Sequence, residues 1–222
     1  MIAFVNGIEI YYEICGEGTP MILLHGNGED HEIFDRFTND LERDHRVYMI
    51  DTRGHGRSGR TDSFHYSDMA EDVAAFIREL DIKKPLVYGF SDGGIVGLML
   101  ASKYTGILSG LISSGPNLSP KDLKRTSRLW MRLQYAFKKD PLLKLMLDEP
   151  NITAEDLGKI DVPVLITMGE NDIIPFFRAE HIAEKIPNGR LVIAKGEDHT
   201  SYVIHSEKLF PLVSDFINEL YE

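Results

Sequence analysis

The rhythm of apolar and polar positions changes after the first fifteen residues. Residues 2–5 and 8–14 are two short runs around Asn6-Gly7, and they predict a hairpin because that dipeptide suits the left-handed backbone of a tight turn. Beyond them come MILLHG (21–26), RVYMID (46–51), PLVYGF (85–90), ILSGLISSG (107–115), VPVLITMG (162–169) and RLVIAK (190–195), each short and nearly continuous in apolar residues. Runs of that kind fit strands buried on both faces of a parallel sheet. Between them the period becomes helical. In 66–82, Met69, Val73, Phe76, Ile77 and Leu80 recur at helical spacing, with Ser67 as the expected N-cap. Further helices are expected near 93–104, 176–186 and 206–221. Strands alternating with helices predict an α/β fold with a mainly parallel sheet.

Residues 116–156 break the alternation. They carry no strand pattern but hold helical material, SPKDLKRTSRLWMRLQYAFKKDPLLKLML. Within 119–147 there are eight Lys/Arg and two Asp/Glu, a local net charge of +6 that leaves −17 for the rest of a chain whose formal charge is −11. The expectation is a basic helical cap (116–156) inserted into an acidic core (1–115 and 157–222). On it, Leu123, Trp130 and Phe137 share one face, while Arg125, Arg128 and Arg132 fall largely on another. Trp130 and Phe137 are expected to turn toward the core and contact substrate. The basic face reads either as solvated or as a surface that attracts substrate or partner.

Composition narrows the function. A chain of 222 residues with 43% hydrophobic and 27% charged residues suits one domain with a sizeable core. The acidic balance argues against nucleic acid, which needs a basic surface. Cys15 is the single cysteine, so no internal disulfide is possible. No apolar run approaches the roughly 18 residues of a membrane span. The first residues lack the basic start and apolar run of a signal peptide, so the cytoplasm is the expected compartment.

The chemistry concentrates at strand ends. In GFSDGG (89–94), Ser91 stands between an apolar strand and an apolar helix, with Gly89 and Gly93 at i−2 and i+2. Small residues there let the chain turn sharply and expose a serine hydroxyl at a helix N-terminus. A serine needs a base, and the base needs an orienting acid. Asp172 and His199 each follow a late apolar strand, at the sheet edge where such folds gather ligands. Glu170, Glu197 and Asp198 are rival acids. His205 is the rival base, and His31, His45, His65 and His181 stand in polar, surface-like contexts. Oxyanion donors are expected from the backbone N–H groups of Asp92 and Asn27. Gly26 and Gly28 allow close approach and room for substrate. Asp92 itself raises a question, because a carboxylate beside a developing oxyanion opposes it unless a local donor or a cationic substrate group compensates.

Taken in order, HGNG (25–28), DTRGHGRS (51–58), GFSDGG (89–94), GEND (169–172) and DHTSY (198–202) resemble the α/β-hydrolase superfamily over nearly the whole chain. The resemblance implies a mostly parallel sheet of about eight strands, a cap after the sixth, a Ser91–His199–Asp172 triad, and structural roles for Arg53 and Ser58. It implies no metal and no cofactor. A short cap implies an open or shallow pocket.

Serine at position 91 sets aside relatives with an aspartate or cysteine nucleophile. The expected reaction is hydrolysis of a small-molecule carboxylic ester, with thioester or lactone in the same class. Hydrolysis of a C–C bond or an enol-lactone is the alternative. A ligand receptor on the same fold is the reading from another class, and turnover of simple esters separates it from an enzyme.

Overall fold

The computed structural model describes residues 1–221. Its strands are β1 (Ile2–Val5), β2 (Ile8–Cys15), β3 (Thr19–Leu24), β4 (His45–Ile50), β5 (Leu86–Phe90), β6 (Gly110–Ser114), β7 (Val164–Gly169) and β8 (Gly189–Ala194). Its helices are α1 (Asp35–Leu41), α2 (Tyr66–Glu79), α3 (Asp92–Lys103), α4 (Arg125–Lys138), α5 (Pro141–Asp148), α6 (Ala154–Gly158), α7 (Phe176–Lys185) and α8 (Leu209–Tyr221).

The eight strands form one sheet in the order β1-β2-β4-β3-β5-β6-β7-β8. The first hairpin is antiparallel, and β2 joins β4 antiparallel. Every pairing from β4 through β8 is parallel. Asn6 and Gly7 take φ of 49° and 78°, the left-handed pair the hairpin turn requires. Every residue of β5, β6 and β7 is buried, because helices cover both faces there. One apolar layer packs α2, α3 and α7 on one face, and a second packs α1 and α8 on the other.

Two helix starts differ from expectation. Ser67 lies inside the first turn of α2 instead of capping it; His65 holds the cap position without a side-chain bond. The carboxylate of Glu149 reaches over to accept the Tyr66 N–H at 3.2 Å, satisfying one of the open donors of the first turn. The last helix begins at Leu209, after turns that run through His205.

Between β6 and β7 the chain leaves the layers and forms α4, α5 and α6. Lys139, in the left-handed conformation at φ 52°, turns α4 into α5. Several polar links hold this cap to the core, among them Arg178 Nε on Asp122 Oδ1 at 3.2 Å. Lys124 donates from its backbone N–H to Ile173 O at 2.9 Å and from its ammonium to Asp172 O. Leu142 O accepts from Asn27 Nδ2 at 3.3 Å. Glu149 binds His65 Nδ1 as well as the Tyr66 amide. Among the described residues no helix is long and apolar enough to cross a membrane.

Candidate active site

Ser91 sits where β5 gives way to α3, with φ 50° and ψ −111°. That backbone is costly for a residue with a side chain, and the neighbouring glycines show what enforces it. A Cβ on Gly89 would lie 2.1 Å from Gly93 O, and one on Gly93 would lie 2.2 Å from Leu24 O. The Gly-x-Ser-x-Gly spacing is therefore a steric requirement of strand and helix meeting so closely.

His199 Nε2 stands 3.2 Å from Ser91 Oγ, and His199 Nδ1 stands 2.8 Å from Asp172 Oδ1. Asp172 is fully enclosed, and the Ile174 N–H also donates to its Oδ1 at 3.0 Å. Phe90 packs against the imidazole with ring centroids 5.2 Å apart. Gly115, at φ 60°, backs the same ring: a Cβ there would lie 2.7 Å from His199 Cε1. Three loops from three strand ends thus place a hydroxyl, an imidazole and a carboxylate in line. The rivals are engaged elsewhere. Glu170 accepts from Gly196 N, Glu197 binds Ser201 and Lys208, Asp198 caps Thr200 and Ser201, and His205 pairs with Asp35.

The loop after β3 is held from behind. Thr52 N–H donates to His25 Nε2 at 3.0 Å, so the imidazole proton lies on Nδ1, which donates to Gly26 O at 2.7 Å. Burial drives the His25 pKa down to about 4, which keeps the ring neutral in this role. The DTRGHGRS segment braces the same region: Asp51 accepts from His31 and from the Arg57 N–H, Ser58 Oγ donates to Asp51 O, and Arg53 binds Asp72. His31 and His45 are therefore buried, contrary to the surface setting expected of them; carboxylate and hydroxyl partners inside the fold satisfy their rings.

Asn27 and Asp92 flank the serine. The Asn27 side chain donates to Asp92 Oδ2 at 2.9 Å, and Tyr66 OH donates to Asp92 Oδ1 at 2.7 Å. Burial pushes the Asp92 carboxyl above its ordinary range, and these two donors pull it part of the way back. Gly26 has no room for a side chain, since a Cβ would meet Glu29 Oε2 at 2.7 Å and Ser91 Cβ at 3.2 Å. Gly28, at φ 73°, faces open space.

A narrow cleft of about 20 Å³ lies over Ser91, walled by Tyr66, Asp92, His199, Met131 and Met146 among others. Trp130 and Phe137 take no part in it. They are 62% and 87% exposed, which corrects the expectation that they turn inward. One step round the helix from Trp130, Met131 faces the cleft instead, and Trp130 and Phe137, seven positions apart, share the outer side.

Comparison with known proteins fits this arrangement. The profile of the alpha/beta hydrolase fold matches residues 19–145. The chain belongs to the α/β-hydrolase family. This hydrolase is similar to the AB hydrolase superfamily protein YisY of Bacillus subtilis (strain 168), 28% identical with 95% of this chain and 96% of that protein covered. It is also similar to the serine hydrolase BPHL of Homo sapiens, 26% identical with 96% and 84% covered. Its fold matches that of a thermophilic esterase from Thermogutta terrifontis with a TM-score of 0.81, at 21% identity over 97% of this chain and 95% of that one.

The hydrolase carries one site group that its motifs did not reveal. Glu29 turns back so that its Oε2 accepts the Gly26 N–H at 2.9 Å, close behind Ser91. Burial pushes its carboxyl up to about 7, against the pull of the Gly26 amide. The acid three residues after Gly26 in HGNGE was the available signal. Tyr66, Met131 and Met146 also line the site of this hydrolase, and only the meeting of cap and core brings them there.

Proposed function

We propose that the chain is a serine hydrolase that cleaves small-molecule carboxylic esters through an acyl-enzyme. The observation that carries this reading is the Ser91–His199–Asp172 line, with a strained serine at the head of a helix. His199 Nε2 takes the proton as Ser91 Oγ attacks the ester carbonyl, and Asp172 holds the imidazole in the tautomer that can accept it. The backbone N–H groups of Asn27 and Asp92 receive the oxyanion; the helix dipole of α3 adds to them. His199 returns the proton to the leaving alcohol. It then deprotonates the water that hydrolyses the Ser91 acyl ester, which restores the free hydroxyl.

The narrow cleft, about 20 Å³ and far below the usual range of small-molecule pockets, supports a substrate that seats only a small group there. Leu123, Met131, Met146, Ile173 and Ile174 give it an apolar wall suited to a short acyl or alkyl chain. The test is a panel of p-nitrophenyl esters and thioesters of increasing acyl length, with an enol-lactone and a vinylogous diketone added, run beside Ser91→Ala. Ester turnover that vanishes in the variant supports the reading. Turnover of the diketone or enol-lactone alone would replace it, and binding without turnover of any member would make the chain a receptor.

A further inference from the structure

Among the described residues nothing covers the outer face of α4. Leu129, Leu133 and Phe137 recur four residues apart, Trp130 lies beside them, and all four are exposed, at 59%, 48%, 87% and 62%. No residue of α4 is buried. Arg125 and Arg132 border this stripe, with Arg128 next to them and Lys138 at the far side. Among the described residues none of these four cations is paired with a carboxylate, although the protein carries 35 acidic residues. The opposite side of the same helix presents Met131 to the cleft.

Leaving aromatic and branched side chains in water is unfavourable, and a row of four on one short helix asks for cover. Unpaired arginines along its edge select what that cover is. A helix with Trp, Phe and Leu on one side and Arg and Lys beside them has the composition of an interfacial helix, with its apolar side in acyl chains and its cations among headgroups. A second copy meeting cap to cap would oppose the two sets of cations. An anionic bilayer satisfies the cations and the apolar side chains together. The acidic core does not prevent this, since charges beyond a Debye length of about 8 Å are largely screened.

A second pair of exposed aromatic side chains lies close to the cleft in the chain. Phe176 and Phe177, 51% and 58% exposed, directly follow the loop of Ile173 and Ile174, which forms part of the cleft wall. The Lys124 amide ties the start of the cap to that loop.

We propose that the outer face of α4 docks this protein on an anionic lipid surface, with Trp130 and Phe137 inserted at the acyl boundary and Arg125, Arg128 and Arg132 on the headgroups. The surface stands independently of the reaction assigned to Ser91. Trp130 is the protein's single tryptophan, so intrinsic fluorescence reports on this face alone. The probe is large unilamellar vesicles of phosphatidylcholine, alone or with about one third phosphatidylglycerol. The wild-type protein is expected to float with the anionic vesicles, with a blue-shifted Trp130 emission that salt reverses. Arg125→Gln/Arg128→Gln/Arg132→Gln should weaken anionic binding on the order of a hundredfold, at roughly a factor of five per cation. Phe137→Ala should weaken it about tenfold or more. Both variants should keep the wild-type thermal midpoint, which separates lost docking from lost folding. Absence of flotation, or equal binding to neutral vesicles, would overturn the proposal. So would a blue shift without lipid that tracks a dimer in light scattering and is lost in Phe137→Ala, because a second copy would then cover the face.

Discussion

Asn27 Nδ2 donates to Asp92 Oδ2 across 2.9 Å, so the two residues proposed to receive the oxyanion on their backbone amides are also joined through their side chains. With Tyr66 on the other oxygen, the Asp92 carboxylate finds its donors inside the protein. Its charge therefore needs no cation from a substrate. Asp92→Asn removes the charge but can keep both contacts only as neutral bonds, with Tyr66 OH turned to accept from the new NH₂, so charge assistance is lost and the loop of Asn27 loosens. The expected result is a loss in kcat/KM of about tenfold, equal for neutral esters and α-amino esters, matching roughly one hydrogen bond. A loss confined to α-amino esters would instead make Asp92 a substrate-reading group.

Ser91→Ala should lower kcat by about 10³-fold or more with the thermal midpoint retained, because members of such a line act as a unit. Asp172→Asn should cost on the order of 10³ to 10⁴ by favouring the wrong imidazole tautomer. Steady-state kinetics on p-nitrophenyl acetate checks both; residual turnover above a tenth of wild type in Ser91→Ala removes the serine from the mechanism.

Gly115 offers a structural control on the proposed base, His199. A methyl group there would press on His199 Cε1 and would also strain a left-handed backbone. Gly115→Ala should push the imidazole away from Ser91 and lower kcat by about a hundredfold, the usual cost of a 1 Å misplacement. Unchanged kcat in a variant of wild-type stability would show that the ring has slack.

Glu29 links the site to pH. Its carboxyl is raised to about 7 in the folded protein against an ordinary value of 4.5, so the fold binds the proton more tightly than the unfolded chain does. Stability from this group is full below about pH 4.5 and falls as pH rises to about 7, by at most about 3 kcal/mol in all. Glu29→Gln keeps an acceptor for the Gly26 amide and cannot ionise. It should melt like wild type at pH 4.5 and several degrees higher at pH 8. Parallel melting curves at both values would show that Glu29 is not the titrating group.

On the cap, Met131→Ala should raise KM for butyrate and longer esters while leaving acetate nearly unaffected, since Met131 walls the cleft. Trp130→Ala should leave KM unchanged across that series. The reverse order would restore the inward reading of Trp130.

Much of this was readable in the chain, for local reasons. Continuous apolar runs identify β5, β6 and β7 because those strands are covered on both faces. The Gly89–Ser91–Gly93 spacing identifies the elbow because steric contact with Gly93 O and Leu24 O forbids anything larger. Other features depend on distant partners and leave no local trace. Ser67 resembles a cap, but the helix already starts at Tyr66, whose N–H is taken by Glu149, 83 positions later. Trp130 and Phe137 have the hydrophobicity of core residues, and their seven-residue spacing shows that they share a face. It does not show whether that face meets protein. Glu29 lies within the glycine loop, but only its folding back onto Gly26 reveals a shared environment with the nucleophile.

The seat of Lys124 has a consequence for engineering. Its backbone and its ammonium both rest on the carbonyls of Asp172 and Ile173, so the residue that starts α4 props up the loop that carries the proposed acid. The insertion is therefore not a freely exchangeable module. A chimera that grafts another cap between β6 and β7 inherits a working acid only if the graft supplies a donor pair where Lys124 stood.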